Sequence, residues 1–137
     1  MTSIRFISPA GLVQSPAFNH VAVVPPGFAT VFVGGQNAVD GSGELVGAGD
    51  AAAQVGRVME NLREALRAAD ADMQDLVSMT IIIVDGVDLV AAYPVAAAAL
   101  GGAAPVVSVV TVTGLAVPGA LVEVSAIAAV PAADRAG

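Results

Sequence analysis

The chain has 137 residues, the size of one domain, so a single domain over 1–137 with no separate cofactor domain is expected. Hydrophobic residues make up 56% and charged residues only 12%, which excludes a disordered chain and leaves few charges to clothe a lone monomer. Net charge is −7, every cation is an arginine and no basic run exists, so nucleic acid is not an expected partner.

The first eleven residues carry no continuous apolar segment, because Arg5, Pro9 and Gly11 interrupt it; a secretory leader is not expected, and a cytoplasmic setting is. Apolar, β-branched runs at Ile4 to Ile7, Val21 to Val24 and Thr30 to Val33 read as strands. His20 precedes the second of these and is expected to be a hydrogen-bonded structural residue. Phe18, Phe28 and Phe32 are expected in the core. Gly34-Gly35-Gln36 follows the third strand without the spacing of a phosphate-binding loop, and reads as a tight turn. The Gly-rich stretch Asn37 to Gly49 reads as a loop or hairpin.

Asp50 can cap a long helix in which Val55, Met59, Leu62 and Leu66 share one face. Arg57, Glu60, Arg63, Glu64 and Arg67 fall largely on the others, where they are expected as solvated pairs rather than as a binding surface. A strand follows at Met79 to Val84. The second helix places Pro94 in its first turn, has Val95 to Leu100 as its firm part and ends at Gly101-Gly102. Val106 to Val112 and Leu121 to Ala128 complete the strands, and the tail after Pro131 is expected to be loose.

From Leu89 to Val122 the chain carries no charge, longer than the roughly 20 residues that cross a bilayer, but Pro94, Gly101, Gly102, Pro105, Gly114, Pro118 and Gly119 cut it into short pieces; no membrane span is expected. Strands on both sides of the helices, rather than a repeated βαβ pattern, give an α+β class with a mixed sheet.

The absence of cysteine and lysine removes thiol nucleophiles, zinc knuckles and Schiff-base chemistry, and one histidine makes no metal pair, so neither metal nor other cofactor is expected. Glu123 is the one acid within an apolar strand, on the face opposite Val122 and Val124. On a solvated face it is an ordinary carboxylate; in a cleft it is placed for proton transfer. Alternation alone leaves both open. Tyr93 is the only tyrosine, and its hydroxyl needs a partner if buried.

Taken in order, Ser15-Pro16-Ala17-Phe18-Asn19-His20, Val31-Phe32-Val33-Gly34-Gly35-Gln36 and Gln54 with Val58-Met59-Glu60-Asn61-Leu62 resemble the Rid family, also called YjgF or endoribonuclease L-PSP. Asp75-Leu76-Val77 with Thr80-Ile81-Ile82-Ile83, and Pro118-Gly119-Ala120-Leu121-Val122-Glu123-Val124 with Ala126-Ile127-Ala128, continue the likeness over roughly residues 15–128. The resemblance implies a chorismate-mutase-like subunit with about six strands and two helices on one face. It also implies a homotrimer with ligand clefts between subunits and, in one branch, hydrolysis of enamines or imines to keto acids and ammonia.

By the same resemblance Gly35 matches the glycine whose backbone faces the ligand, and Glu123 the acid that orients water or shuttles a proton. Phe18 replaces a usual pocket tyrosine, Tyr93 a frequent asparagine, and Val107, followed by Ser108 in the pocket, the arginine of the deaminase branch. That arginine would grip a carboxylate through two charge-assisted hydrogen bonds of about 1.5–3 kcal/mol each, and valine offers neither. No other arginine is obviously placed to substitute, Arg5 and Arg135 in the termini being the remaining cations to consider.

The first expectation is therefore a trimer binding a small neutral or weakly polar molecule, with Glu123 as acid/base if it is catalytic. An enamine/imine deaminase that works despite Val107, and a binding module without catalysis, are the alternatives. A ribonuclease is disfavoured by the negative charge, the lack of lysine and the lack of paired histidines.

Overall fold

The computed structural model describes residues 3–132. Six strands are present: β1 (Arg5–Ile7), β2 (Val21–Val23), β3 (Phe28–Gln36), β4 (Leu76–Val84), β5 (Val106–Val112) and β6 (Val122–Pro131). Two helices, α1 (Ala51–Ala68) and α2 (Tyr93–Leu100), pack on one face. The main sheet has the order β3-β6-β4-β5, in which β6 is antiparallel to β3 and β4 while β4 and β5 run parallel. The parallel pair encloses α2, as a crossover connection requires. β1 and β2 form an antiparallel pair of their own.

Asn19 joins the two sheets. It bridges in parallel to Val106, its N–H donates to the Pro105 carbonyl at 3.1 Å, and its side-chain amide donates to the Ala104 carbonyl at 2.7 Å. The fold is thus the two-helix, roughly six-stranded α+β architecture expected from the sequence, with four strands in one sheet and two at its β5 side.

The helix face of the sheet is the dry one. Val55, Val58, Met59, Leu62 and Leu66 of α1 are buried against a layer that includes Val33, Met79, Val122, Val124 and Ala126. Asp50 begins α1 as expected, accepting from the Ala53 N–H at 3.0 Å. In α2, Pro94 occupies the first turn and Gly101, at φ 57°, ends the helix.

Four expectations are corrected. Gly34-Gly35-Gln36 is not a tight turn but the end of β3, where the pairing with β6 shifts register between Val33 and Gln36. Alternation carries the strand past the glycines, and the bulge absorbs them. Phe32 is not core: it lies opposite Ile127 on the helix-free face and is 76% exposed. Its neighbours in the strand, Val31 and Val33, take the core side, so the period of two forces Phe32 outward.

The charges of α1 do not pair along the helix. Arg57 donates instead to Asn61, Arg63 to the Ala99 carbonyl of α2, and the one ion pair among the described residues is Arg63–Asp72 at 3.9 Å. Fixed carbonyl and amide acceptors compete well against exposed pairs that gain little from association. Finally, β3, β4 and β6 all run longer than their apolar runs suggest, because ladder pairing continues through Ala, Ser and Gly.

The stretch Asn37 to Gly49 is a hairpin closed by an antiparallel bridge between Val39 and Leu45. Asp40 organises its tip, accepting from the backbone amides of Ser42 at 2.9 Å and Glu44 at 3.0 Å. The Glu44 and Ser42 bonds, with a smaller contribution from the Arg57 charge, hold the Asp40 carboxyl below the ordinary aspartate range. Asn61 of α1 then fastens the hairpin base, donating to the carbonyls of Asn37 at 3.0 Å and Val39 at 2.9 Å.

Gln54 is fully buried, and every polar atom of its amide is used. Its oxygen accepts from the Leu121 N–H at 2.8 Å, and its nitrogen donates to the Gly119 carbonyl at 3.1 Å and the Gly47 carbonyl at 3.2 Å. Gly119 holds φ 82°, and a Cβ there would fall 2.8 Å from Leu45 Cδ2, so the turn before β6 is built for glycine.

Replacing Gln54 by Leu keeps the volume and orphans three backbone groups; equilibrium denaturation is expected to show a loss of about 2–4 kcal/mol. Because the Asp40 carboxyl is lowered in the folded chain, its contribution is present above the ordinary aspartate range and fades as pH falls through that range and below. Thermal melts from pH 6 to pH 2 are expected to fall less steeply in Asp40→Asn than in the natural chain, with the two curves converging at the acid end.

Candidate functional site

The main sheet separates the sequence-predicted site residues into two groups. In β5, alternation sends Val107 and Val109 toward the helices and Ser108 and Val110 to the helix-free face. Phe18, Tyr93 and Val107 meet on the helix side. Gly35, Ser108 and Glu123 belong to the other side.

The helix-side group lines a basin of about 530 Å³. Its rim is the Ser15 to Phe18 segment, its roof Tyr93, Ala96, Ala97 and Leu100 of α2, and its floor Met79, Ile81, Val107 and Val109 of β4 and β5. The rim is held by a local network: the Ala17 N–H donates to the Ser15 hydroxyl at 3.1 Å, and the Ser8 hydroxyl donates to Asn19 at 3.0 Å. Phe18 stacks edge-on with His20 at a centroid distance of 5.4 Å, and His20 Nε2 lies 2.8 Å from the Val13 carbonyl. The histidine thus holds the segment that presents Phe18. Tyr93, at the start of α2, is 63% exposed and stands over the mouth.

On the opposite face, Glu123 lies in register with Ile82 of β4, and Ile82 in turn with Val110 of β5. Its side chain is half-buried, and among the described residues its carboxylate has neither a hydrogen-bond partner nor a cation within 4.0 Å. Arg5, Arg57, Arg63 and Arg67 are all described and none closes that gap; Arg135 lies outside the described residues. Gly35 explains how the carboxylate fits. A Cβ at position 35 would sit 2.7 Å from both Cδ and Oε2 of Glu123, so only a residue without a side chain leaves the acid where it is.

One row further along the same face, Ser125, Thr80 and Ser108 lie side by side across β6, β4 and β5. Phe32, Ile127 and Ser78 follow in the next row and form, with Thr80 and Ser125, a shallow depression of about 280 Å³. The face therefore offers an acid, a line of hydroxyls and an exposed aromatic ring, without a charge of opposite sign. Among the described residues no group of three or more His, Cys, Asp or Glu is placed to hold a metal, and no helix is long and apolar enough to cross a membrane.

Of the basin's lining, the sequence pointed to Phe18, Tyr93 and Val107 but not to Ser15, Met79, Ile81, Ala96, Leu100 or Val109. The signal for Ile81 and Val109 was present, since both share the parity of Met79 and Val107 in paired strands. Ala96 and Leu100 become wall residues only through the docking of α2, which α2's own sequence does not specify.

The endoribonuclease L-PSP family model matches residues 13–130. The crystal structure of YyfB from Yersinia pestis, described as a Rid-family protein of unknown function, is 32% identical with a TM-score of 0.82, over 95% of this chain and 100% of that one. A Mycobacterium tuberculosis member of the YjgF family is 29% identical with a TM-score of 0.59, over 93% of this chain and 100% of its own. RidA from an Antarctic Psychrobacter is 25% identical with a TM-score of 0.66, over 86% of this chain and 98% of its own. No curated protein matches the chain.

Gly35→Ala is expected to rotate the Glu123 carboxylate away from residue 35 in a crystal structure of the variant. Because the obstructed atoms are the far end of a flexible side chain, stability should change by no more than about 1 kcal/mol in denaturant melts.

Proposed function

The chain belongs to the endoribonuclease L-PSP family, the Rid or YjgF family, and from that premise we propose that it assembles as a cytoplasmic homotrimer binding a small neutral or weakly polar molecule between neighbouring copies. The observation that carries the reading is the division of the site by the sheet. An apolar basin with Phe18, Tyr93 and Val107 opens on one face, and a lone carboxylate beside Gly35 stands on the other. A single chain cannot bring them together. A second copy that lays its helix-free face against the basin completes a cleft with an apolar floor and one acid.

Assembly also answers the surface. Phe32 at 76% and Val110 at 46% exposure lie on the face that carries Glu123, and a chain with so few charges gains by covering them. Within such a cleft Val107 gives no ionic anchor, so a ligand carboxylate would be desolvated without compensation, whereas an uncharged group would not. Ser108 offers a hydroxyl that can donate or accept.

For a ligand with a C=N bond, Glu123 has the chemistry of an acid/base group. It accepts a proton from water as the water oxygen bonds to carbon and passes it to nitrogen, giving a carbinolamine; it then takes the remaining proton from the new hydroxyl and delivers it to nitrogen as the C–N bond breaks, leaving a carbonyl and an amine. The negative charge of the chain works against RNA as a substrate despite the family's older name.

Sedimentation equilibrium is expected to give three times the chain mass. In a coupled assay with a 2-aminoacrylate-type imine, the natural chain is expected to show little turnover and Val107→Arg a gain, through binding of the substrate carboxylate. Turnover by the natural chain that disappears in Glu123→Ala would replace this reading with an imine deaminase.

A further inference from the structure

Beneath α2 the basin continues into an inner chamber of about 240 Å³. Val55 and Met59 of α1 form its back wall, Met79 and Ile81 of β4 its floor, and Ala92 and Ala96 its roof. Met79, Ile81, Tyr93, Ala96, Leu100 and Val109 line both compartments and so form the passage between them, with Tyr93 on its exposed side. Apart from the Tyr93 hydroxyl at this passage, no lining side chain carries a polar nitrogen or oxygen.

The chamber exists because of α2's sequence. Ala92, Ala96 and Leu100 recur at steps of four on the inward side, and at Ala96 a single methyl stands where a leucine would reach the floor. An unfilled apolar recess forfeits dispersion contacts, and the small residues Ala92 and Ala96 keep a space that larger ones would close. An apolar cavity of about 150 Å³ stays dry and takes up benzene. A chamber of about 240 Å³ has room for such a ring with a short alkyl chain.

We propose that this inner chamber is a binding site for an uncharged aromatic or alkyl group, entering past Tyr93 from the outer basin. Every wall residue comes from one chain, so the site is complete in each copy, while its entrance opens on the basin that the proposed inter-subunit cleft uses. A charged group is excluded by the same lining, since it would lose its water and find no partner.

Tyr93 is the only tyrosine and the chain has no tryptophan, so its fluorescence reports on the passage without background. The natural protein would be titrated with propylbenzene and with 3-phenylpropionate, which adds a charge to a nearly equal skeleton, and melting temperatures recorded at saturation. The expected result is a saturable change in Tyr93 emission and a raised melting temperature with propylbenzene, and binding of the carboxylate weaker by about tenfold or more. Ala96→Leu is expected to weaken propylbenzene binding by about tenfold or more while melting no lower than the unliganded natural chain.

Val55→Phe, at a residue that lines the chamber and not the outer basin, fills the space from the α1 side and decides the matter if Ala96→Leu does not fold. No saturable signal, equal binding of the carboxylate, or full affinity in the folded variants would overturn the proposal. None of these readouts depends on turnover, and Val55 belongs to the chamber and not to the basin, so the chamber and the inter-subunit cleft can fail separately.

Discussion

The buried amide of Gln54 ties α1 to the loop before it, at Gly47, and to the turn that leads into β6, at Gly119 and Leu121. An amide removed from water must satisfy both its oxygen and its nitrogen, so these backbone segments are held where their groups meet it. Glu123 follows Leu121 by two residues, and the ladders of β6 to β3 and β4 fix the register that brings the acid out on the helix-free face. The core thus anchors the chain two residues before the acid.

The sheet then imposes a division. Strands with a period of two deliver alternate residues to opposite faces, so Val107 and Ser108, adjacent in sequence, end in different environments. The same rule puts Val122 and Val124 against α1 and Glu123 on the helix-free side. Glu123 stands half-exposed on that side with no ionic partner among the described residues, next to a glycine that makes room for it. The apolar basin behind the sheet opens along β5. In the proposed assembly of identical copies, each would offer both surfaces to its neighbours.

Secondary elements show the same division between local and distant causes. α1 was legible because its cap, its apolar spacing and its length agree. β5 was legible to the residue, because Pro105 and the β-branched run bound it. The ends of β3 and β6 were not, since Gly, Ala and Ser have no strand preference of their own and take the extended form only when a partner strand supplies the ladder. The pairing of Arg63 with a carbonyl of α2 rather than with a neighbouring glutamate was also invisible, because the position of α2 is itself a product of packing.

The family resemblance, the α+β class and the elements followed from residue order, as did the choice of Gly35 and Glu123 as candidates, because capping, periodicity and motif spacing act over a few residues. The closeness of Gly35 to Glu123, the exposure of Phe32, the splitting of the predicted site between two faces and the chamber under α2 were decided only by tertiary structure. These depend on which strands pair, in what register, and how near a helix of small residues can come to a sheet. Such quantities are set by contacts between segments distant in sequence, 28 residues for Met79 and Val107 and 95 for Phe32 and Ile127, and a local pattern carries no record of them.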